Sequence, residues 1–148
     1  MSKDATITAE QIDIIETTWS QVVPIAETAS SLFYQRLFET SPHLAPMFEG
    51  IDLGSQRQKL VKAINMVVVS LRKIETLIPV IEDLGKRHVG YGVRAAHYDD
   101  VGAALLWTLE TGLGDAWSEE AKVAWSNAYG LLASVMLAGA ERHELNAA

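Results

Sequence analysis

Hydrophobic positions recur every three or four residues through most of the chain, which is the period of an amphipathic α-helix. The first predicted helix follows Thr8, and Gln11 lies three residues later, as in a capping box. Pro24 suits the first turn of a second helix. The remaining helix starts are predicted at Ser41, Ser55, Ile78, Asp99 or Asp100, and Ser118. No segment alternates with period two, so the pattern predicts six or seven helices and no strand.

One segment is apolar enough to be tested as a membrane span. The 18 residues from Val123 to Ala140 carry no formal charge. A length of 18 residues is at the lower limit for an apolar helix that crosses a bilayer. Polar side chains interrupt the segment, and its bulky apolar residues keep a helical spacing. We therefore interpret it as a largely buried helix of a soluble domain and expect no membrane span.

Length and composition predict one globular domain, residues 1–148, with its core at about 8–140. The net charge is −7, and no block of Lys or Arg is present, so nucleic acid and anionic lipid are unfavourable partners. The absence of cysteine excludes a disulfide framework, a thiolate metal site and a c-type haem attachment. The N-terminus has no apolar run of the kind found in secretory signals, so we expect a cytoplasmic location.

His88 is the most informative of the four histidines. It lies on an apolar helical stripe, and the members of that stripe are Leu77, Ile81, Leu84, His88 and Tyr91. A buried imidazole needs a partner for each ring nitrogen. The stripe alone favours a core histidine bonded to a neighbouring helix and leaves a metal ligand as the alternative. The surface is the predicted location of His43, His97 and His143.

Two other polar residues lie on apolar faces. Gln56 begins a stripe that continues through Leu60, and Tyr34 lies among large apolar side chains. Gln56 is interpreted either as a solvated helix start or as a hydrogen-bond donor aimed into a pocket, and Tyr34 as a core residue whose hydroxyl finds a partner. The chain contains no GxGxxG, GxxxxGK[ST] or HExxH motif. The run from His97 to Asp100 is a poor metal site, because adjacent helical residues point in different directions.

Six sequence motifs, taken together with their order along the chain, are more specific than any one of them alone. They are Leu-Phe-Tyr-Gln-Arg-Leu-Phe (32–38), Ser-Pro-His-Leu-Ala-Pro-Met-Phe (41–48), Gly-Ser-Gln-Arg-Gln-Lys-Leu (54–60), Leu-Gly-Lys-Arg-His (84–88), Tyr98 with Val101-Gly102, and Ala-Trp-Ser-Asn-Ala-Tyr-Gly (124–130). In this order the chain resembles a globin from about Thr8 to Ala140, in particular the bacterial single-domain globins and the globin half of flavohaemoglobins. The resemblance implies a globin fold of six to eight helices around haem b.

The resemblance also assigns roles to individual residues. It implies that His88 is the iron ligand, that Phe48 packs on the porphyrin and that Leu60 lies over the iron. Tyr34 and Gln56 match the distal pair that hydrogen-bonds the bound ligand, and they are the predicted catalytic pair if the protein is an enzyme. Further haem contacts are implied at Leu84, Val93, Tyr98 and Val101, and propionate partners at Lys59 and Arg87. Glutamine is a poor iron ligand, so we expect a five-coordinate ferrous state.

One position departs from the flavohaemoglobin pattern. The glutamate that supports the proximal histidine aligns with Ala140, and Glu141 follows one residue later, about 100° around a helix. This departure puts efficient O–O bond chemistry in doubt. We therefore expect reversible binding of dioxygen or another diatomic ligand. The alternatives are a nitric oxide dioxygenase that needs a separate reductase, since no flavin domain follows Ala148, and a haem-based sensor or haemless interaction protein.

Overall fold

The computed structural model describes the backbone of residues 7–90 and 95–147 and the side chains of residues 7–88 and 96–140. The α-helices are α1 (Ala9–Val22), α2 (Ala26–Thr40), α3 (Leu53–Val69), α4 (Ile78–Gly90), α5 (Ala95–Leu113) and α6 (Glu119–Ala147). Short 3-10 segments cover Val23–Ile25, Pro42–Phe48, Leu71–Thr76 and Gly114–Ala116. These described ranges contain no strand, and the predicted all-α class is confirmed.

Local hydrogen bonds explain where several helices begin. The backbone N–H of Gln11 donates to Thr8 Oγ1 at 3.1 Å, and the Gln11 side chain accepts from the Thr8 backbone N–H at 3.2 Å. The backbone N–H of Ala121 donates to Ser118 Oγ at 3.0 Å, which caps α6 as predicted. Pro24 lies in a 3-10 turn before α2 rather than in the first turn of α2 itself.

Two predicted helix starts are wrong. Helix α3 begins two residues before its predicted start, because the Asp52 carboxylate accepts a hydrogen bond from the backbone N–H of Gly54 at 3.0 Å. Helix α5 begins at Ala95, so Asp99 and Asp100 lie inside the helix and cap nothing. Asp100 instead accepts from a histidine of the Pro42–Phe48 segment.

Two tryptophans organise the core between α1, α3 and α6. Trp125 Nε1 donates to Thr18 Oγ1 at 2.9 Å, and Trp19 Nε1 donates to Asn65 Oδ1 at 3.1 Å. The two indole rings tilt against each other with centroids 6.2 Å apart. Each buried indole N–H is therefore paired across a helix–helix contact, which fixes the relative position of the helices.

Helices α4 and α6 cross in direct backbone contact. A Cβ added at Gly85 would overlap the carbonyl group of Met136, and one added at Gly139 would overlap the carbonyl group of Glu82. Only glycine leaves room for this approach at both points. The crossing therefore fixes the position of α4 relative to α6, and His88 lies one turn after Gly85 in α4.

Helix α6 buries one side and exposes the other. By length and composition, the part from Glu119 to Ala140 is the one candidate membrane span in the described residues, and 28% of it is buried. Its buried side holds Trp125 and Met136, whereas Val123 is 46% exposed. The expectation of a largely buried helix is thus met on one side only, because α1, α4 and α5 pack against that side.

Candidate functional site

Two apolar clusters meet along α5. The Tyr34 cluster contains Phe33, Tyr34, Leu37, Leu44 and Ala104, with Phe38, Met47, Phe48, Leu60, Val101 and Leu105 packed against them. The Tyr98 cluster contains Ile81, Tyr98 and Met136, with Leu84 and other apolar side chains packed against them. Helix α5 supplies Val101 to the first and Tyr98 to the second. The structure thus distributes the predicted apolar contact residues between the two clusters.

Tyr34 lies at the centre of an aromatic group. Its ring meets that of Phe33 edge-on at 4.9 Å between centroids and that of Phe48 at 5.7 Å. The ring of Phe38 lies 6.1 Å from Tyr34 and 5.3 Å from Phe48. Tyr34 is 6% exposed, so these contacts hold its ring in one orientation.

Gln56 and Arg57 act on the hydroxyl of Tyr34. Burial raises the pKa of Tyr34 above its usual value, and it outweighs the lowering by a side-chain hydrogen bond with Gln56 and by the charge of Arg57. The phenol therefore stays protonated at neutral pH and keeps its proton for donation. The structure brings Tyr34 and Gln56 together from α2 and α3, as the predicted distal pair requires.

His88 is half-buried near the end of α4. Its Nδ1 lies 2.7 Å from the backbone oxygen of Leu84. A carbonyl oxygen only accepts, so Nδ1 is the donor, and in the neutral imidazole the lone pair is then on Nε2. This is the tautomer in which a histidine ligates a metal through Nε2, with its orientation set by the bond on the other nitrogen. The interpretation of His88 as a core residue bonded to a neighbouring helix does not describe this Nδ1, which is bonded within α4.

The outer residues of the predicted site are placed as follows. Lys59 and Arg87 are exposed, and Arg87 Nε lies 3.3 Å from Asp83 Oδ2 one turn earlier in α4. Their pairing with propionates stays a prediction. Val93 and the side chain of Glu141 lie outside the described residues. Ala140, at the position of the family glutamate, is buried and carries no carboxylate.

Sequence reasoning missed three contributors. Phe38 contacts both Tyr34 and Phe48, although it was recognised only as an apolar position. Gly85 places α4 against α6, and its signal was its place inside the Leu-Gly-Lys-Arg-His motif. The Tyr129 hydroxyl donates to the backbone oxygen of Tyr98 at 2.6 Å, and burial raises its pKa.

No group of three or more His, Asp or Glu side chains among the described residues is arranged to hold a metal ion. His43 Nε2 instead pairs with Asp100 Oδ2 at 3.2 Å, and the His43 side chain is 60% exposed. A ligand set of one histidine fits a metal that brings its other ligands with it, as in a porphyrin.

Comparison with known proteins decides the family. A family model described as Globin matches residues 31–136. The chain belongs to the globin family. This globin is 30% identical over 128 residues to a flavohemoprotein of Bacillus subtilis and 33% identical over 137 residues to one of Rhizobium meliloti. These matches cover 85% and 91% of the globin but 32% and 34% of the relatives, so the chain spans about a third of their length.

Solved structures agree with this assignment. The fold is similar to that of a bacterial globin from Campylobacter jejuni, with a TM-score of 0.80 and 28% identity over 91% of this chain and 97% of that one. A neuroglobin from Symsagittifera roscoffensis has the same fold, with a TM-score of 0.78 at 21% identity over 89% and 98% of the two chains. Membership of the globin family supports haem binding, and globins bind small diatomic ligands such as oxygen.

Proposed function

We propose that this globin holds haem b through His88 and binds dioxygen reversibly on the side of Tyr34 and Gln56. The observation that carries the proposal is the contact of 2.7 Å between His88 Nδ1 and the backbone oxygen of Leu84, because it makes Nε2 the nitrogen through which a neutral imidazole would ligate iron. The half-buried apolar side chains Leu60, Leu84 and Val101 suit the faces of a large apolar disc. Lys59 and Arg87 supply cations for its carboxylates.

Haem held by His88 would supply the iron at which a diatomic ligand binds. The task of the chain on that side is to offer protons for hydrogen bonding. The Tyr34 phenol, kept neutral by burial, donates a hydrogen bond to the partly negative ligand. Gln56 either orients the Tyr34 hydroxyl or donates a second hydrogen bond. The amide of Gln56 is a poor iron ligand, so we propose a five-coordinate ferrous state without bound ligand.

The test is the rate of dioxygen dissociation from the haem-loaded protein. One hydrogen bond contributes about 1 kcal/mol, so Tyr34→Phe should raise the dissociation rate by about fivefold. Tyr129→Phe is the matched control: it also removes a buried hydroxyl, but from the bond to Tyr98, and should change the rate less than about twofold. An unchanged rate in Tyr34→Phe would remove Tyr34 from the ligand site.

The second candidate function is nitric oxide dioxygenation. The similarity to the globin third of flavohemoproteins supports it. In that reaction dioxygen and nitric oxide would be converted to nitrate with oxidation of a ferrous haem to the ferric state, so each turnover would need one electron from a reductase. Sustained nitrate formation per haem with a reductase present would favour this enzyme, and a single turnover would favour the oxygen binder. We propose a cytoplasmic location for either function.

A further inference from the structure

The charges of this chain are strongly segregated. Residues 53–94 contain eight of the 12 Lys and Arg residues and three of the 19 Asp and Glu residues, a net charge of +5. The rest of the chain contains four cations and 16 carboxylates, a net charge of −12. The overall value of −7 therefore hides a basic segment inside an acidic molecule.

The basic segment coincides with the two helices that carry the candidate site. Helix α3 holds Gln56 and Leu60, and helix α4 holds Leu84 and His88. If Lys59 and Arg87 pair with two propionates, the segment still keeps a charge of about +3. The iron proposed at this site would thus lie within the positive part of the molecule.

Some cations of this segment are available to a partner. Lys59, Lys62 and Lys86 are exposed, and none of them forms an ion pair with a described residue. Arg72, in the 3-10 segment between α3 and α4, is by contrast held by Asp13 at 2.6 Å and Glu16 at 3.0 Å. The exposed lysines therefore contribute positive charge that no ion pair with a described residue offsets.

We propose that the exposed lysines of α3 and α4 that form no ion pair with a described residue and are not assigned to the propionates, Lys62 and Lys86, mark the docking surface for an acidic protein that donates single electrons. This inference rests on the proposed function, in which the iron must be ferrous to bind dioxygen. In the step itself the donor is oxidised by one electron and the ferric iron is reduced by one. The acidic remainder of the globin repels the donor, so the field also orients the encounter.

The experiment measures the reduction of ferric, haem-loaded protein by reduced flavodoxin, an acidic one-electron donor, in a stopped-flow instrument. Steering by charge accelerates such encounters by about 10–10³-fold and is screened when the Debye length falls from about 30 Å at 0.01 M to about 3 Å at 1 M salt. The second-order rate constant should fall at least about tenfold over that range. Reduced riboflavin, which carries at most one negative charge, should show a much smaller fall.

Three charge reversals distinguish an effect of this surface from an effect of the overall net charge. Lys62→Glu and Lys86→Glu should each lower the rate with flavodoxin about threefold to tenfold at 0.01 M salt. Lys122→Glu makes the same change of charge at an exposed position of α6 and should alter the rate less than about twofold. Titration with oxidised flavodoxin, in which no electron moves, should show the same order of weakened binding.

Several results would overturn the docking surface. Equal effects of all three substitutions would show that only net charge matters, and a rate that does not fall with salt would show that steering is absent. Binding of phosphatidylglycerol vesicles or duplex DNA that depends on Lys62 and Lys86, without an effect on flavodoxin, would assign the surface to another partner. A protein that forms a normal oxygen complex but shows any of these results would leave the proposed function intact.

Discussion

Gly85→Ala tests whether the backbone crossing of α4 and α6 sets the position of His88. The added Cβ would lie 2.7 Å from the carbonyl carbon and 2.8 Å from the Cα of Met136, and closer still to the carbonyl oxygen. Ordinary contact begins at 3.4 Å, so the helices must separate by at least about 0.7 Å. The obstacle is backbone, which has no rotamer through which to yield.

The expected cost follows from two opposing effects. Overpacking of a close contact costs about 1–3 kcal/mol, and a backbone obstacle places this site in the upper part of that range. Replacing a helical glycine with alanine returns up to about 1 kcal/mol. We therefore expect the free energy of unfolding to fall by about 1–2 kcal/mol. The displaced α4 should also carry His88 away from its position and speed haem loss.

Urea unfolding and haem transfer to an apo-globin acceptor measure the two effects. Gly130→Ala in α6 is the matched control, because a Cβ there meets nothing within 4 Å. It should stabilise the protein by about 0.5–1 kcal/mol and leave haem loss unchanged. Gly85→Ala that is as stable as Gly130→Ala and keeps haem equally well would refute the proposed role of the crossing.

Two further predictions concern buried polar groups. Thr18→Val leaves the Trp125 N–H without its acceptor and should lower the free energy of unfolding by about 1–2 kcal/mol, measured by urea unfolding. Thr108→Val is the control, because the Thr108 hydroxyl bonds only the Ala104 carbonyl of its own helix, and it should cost less than half as much. Equal costs for the two variants would count against the bond between Trp125 and Thr18. Burial raises the pKa values of Tyr34, Tyr98 and Tyr129, so ultraviolet titration of the folded protein should show these phenols still protonated at about pH 10. Since the unfolded phenols ionise near pH 10, their contribution to stability should be complete below that pH and decline above it, and normal titration of all three in the folded state would contradict the result.

Local patterns predicted the features that depend on neighbours in sequence. The capping box joins Thr8 to Gln11 across three residues, so it could be recognised without knowledge of the fold. The start of α5 could not, because Asp99 and Asp100 suit a helix start equally well in isolation. The structure places Asp100 against His43, which is 57 residues away in the chain.

The features of the candidate site also divide into those that the local sequence predicts and those that depend on the fold. Helical spacing predicts the stripe through Leu84 and His88. The bond from His88 Nδ1 to the backbone oxygen of Leu84 joins residues one turn apart, so it follows from the same spacing. The contact between Gly85 and Met136 spans two distant helices, and no local propensity encodes it. The same is true of the ring contact between Phe38 and Phe48, which needs the chain to reverse after α2.

The absorption spectrum of the purified chain after addition of haemin tests the central claim most directly. Ferric, ferrous and ferrous-carbonyl spectra report haem uptake, coordination number and an open ligand position together. We predict stoichiometric uptake, a five-coordinate ferrous form that binds carbon monoxide, and loss of stable uptake in His88→Ala. A wild-type protein that stays colourless with haemin, or a His88→Ala variant with unchanged spectra, would contradict the assignment of His88 as the iron ligand.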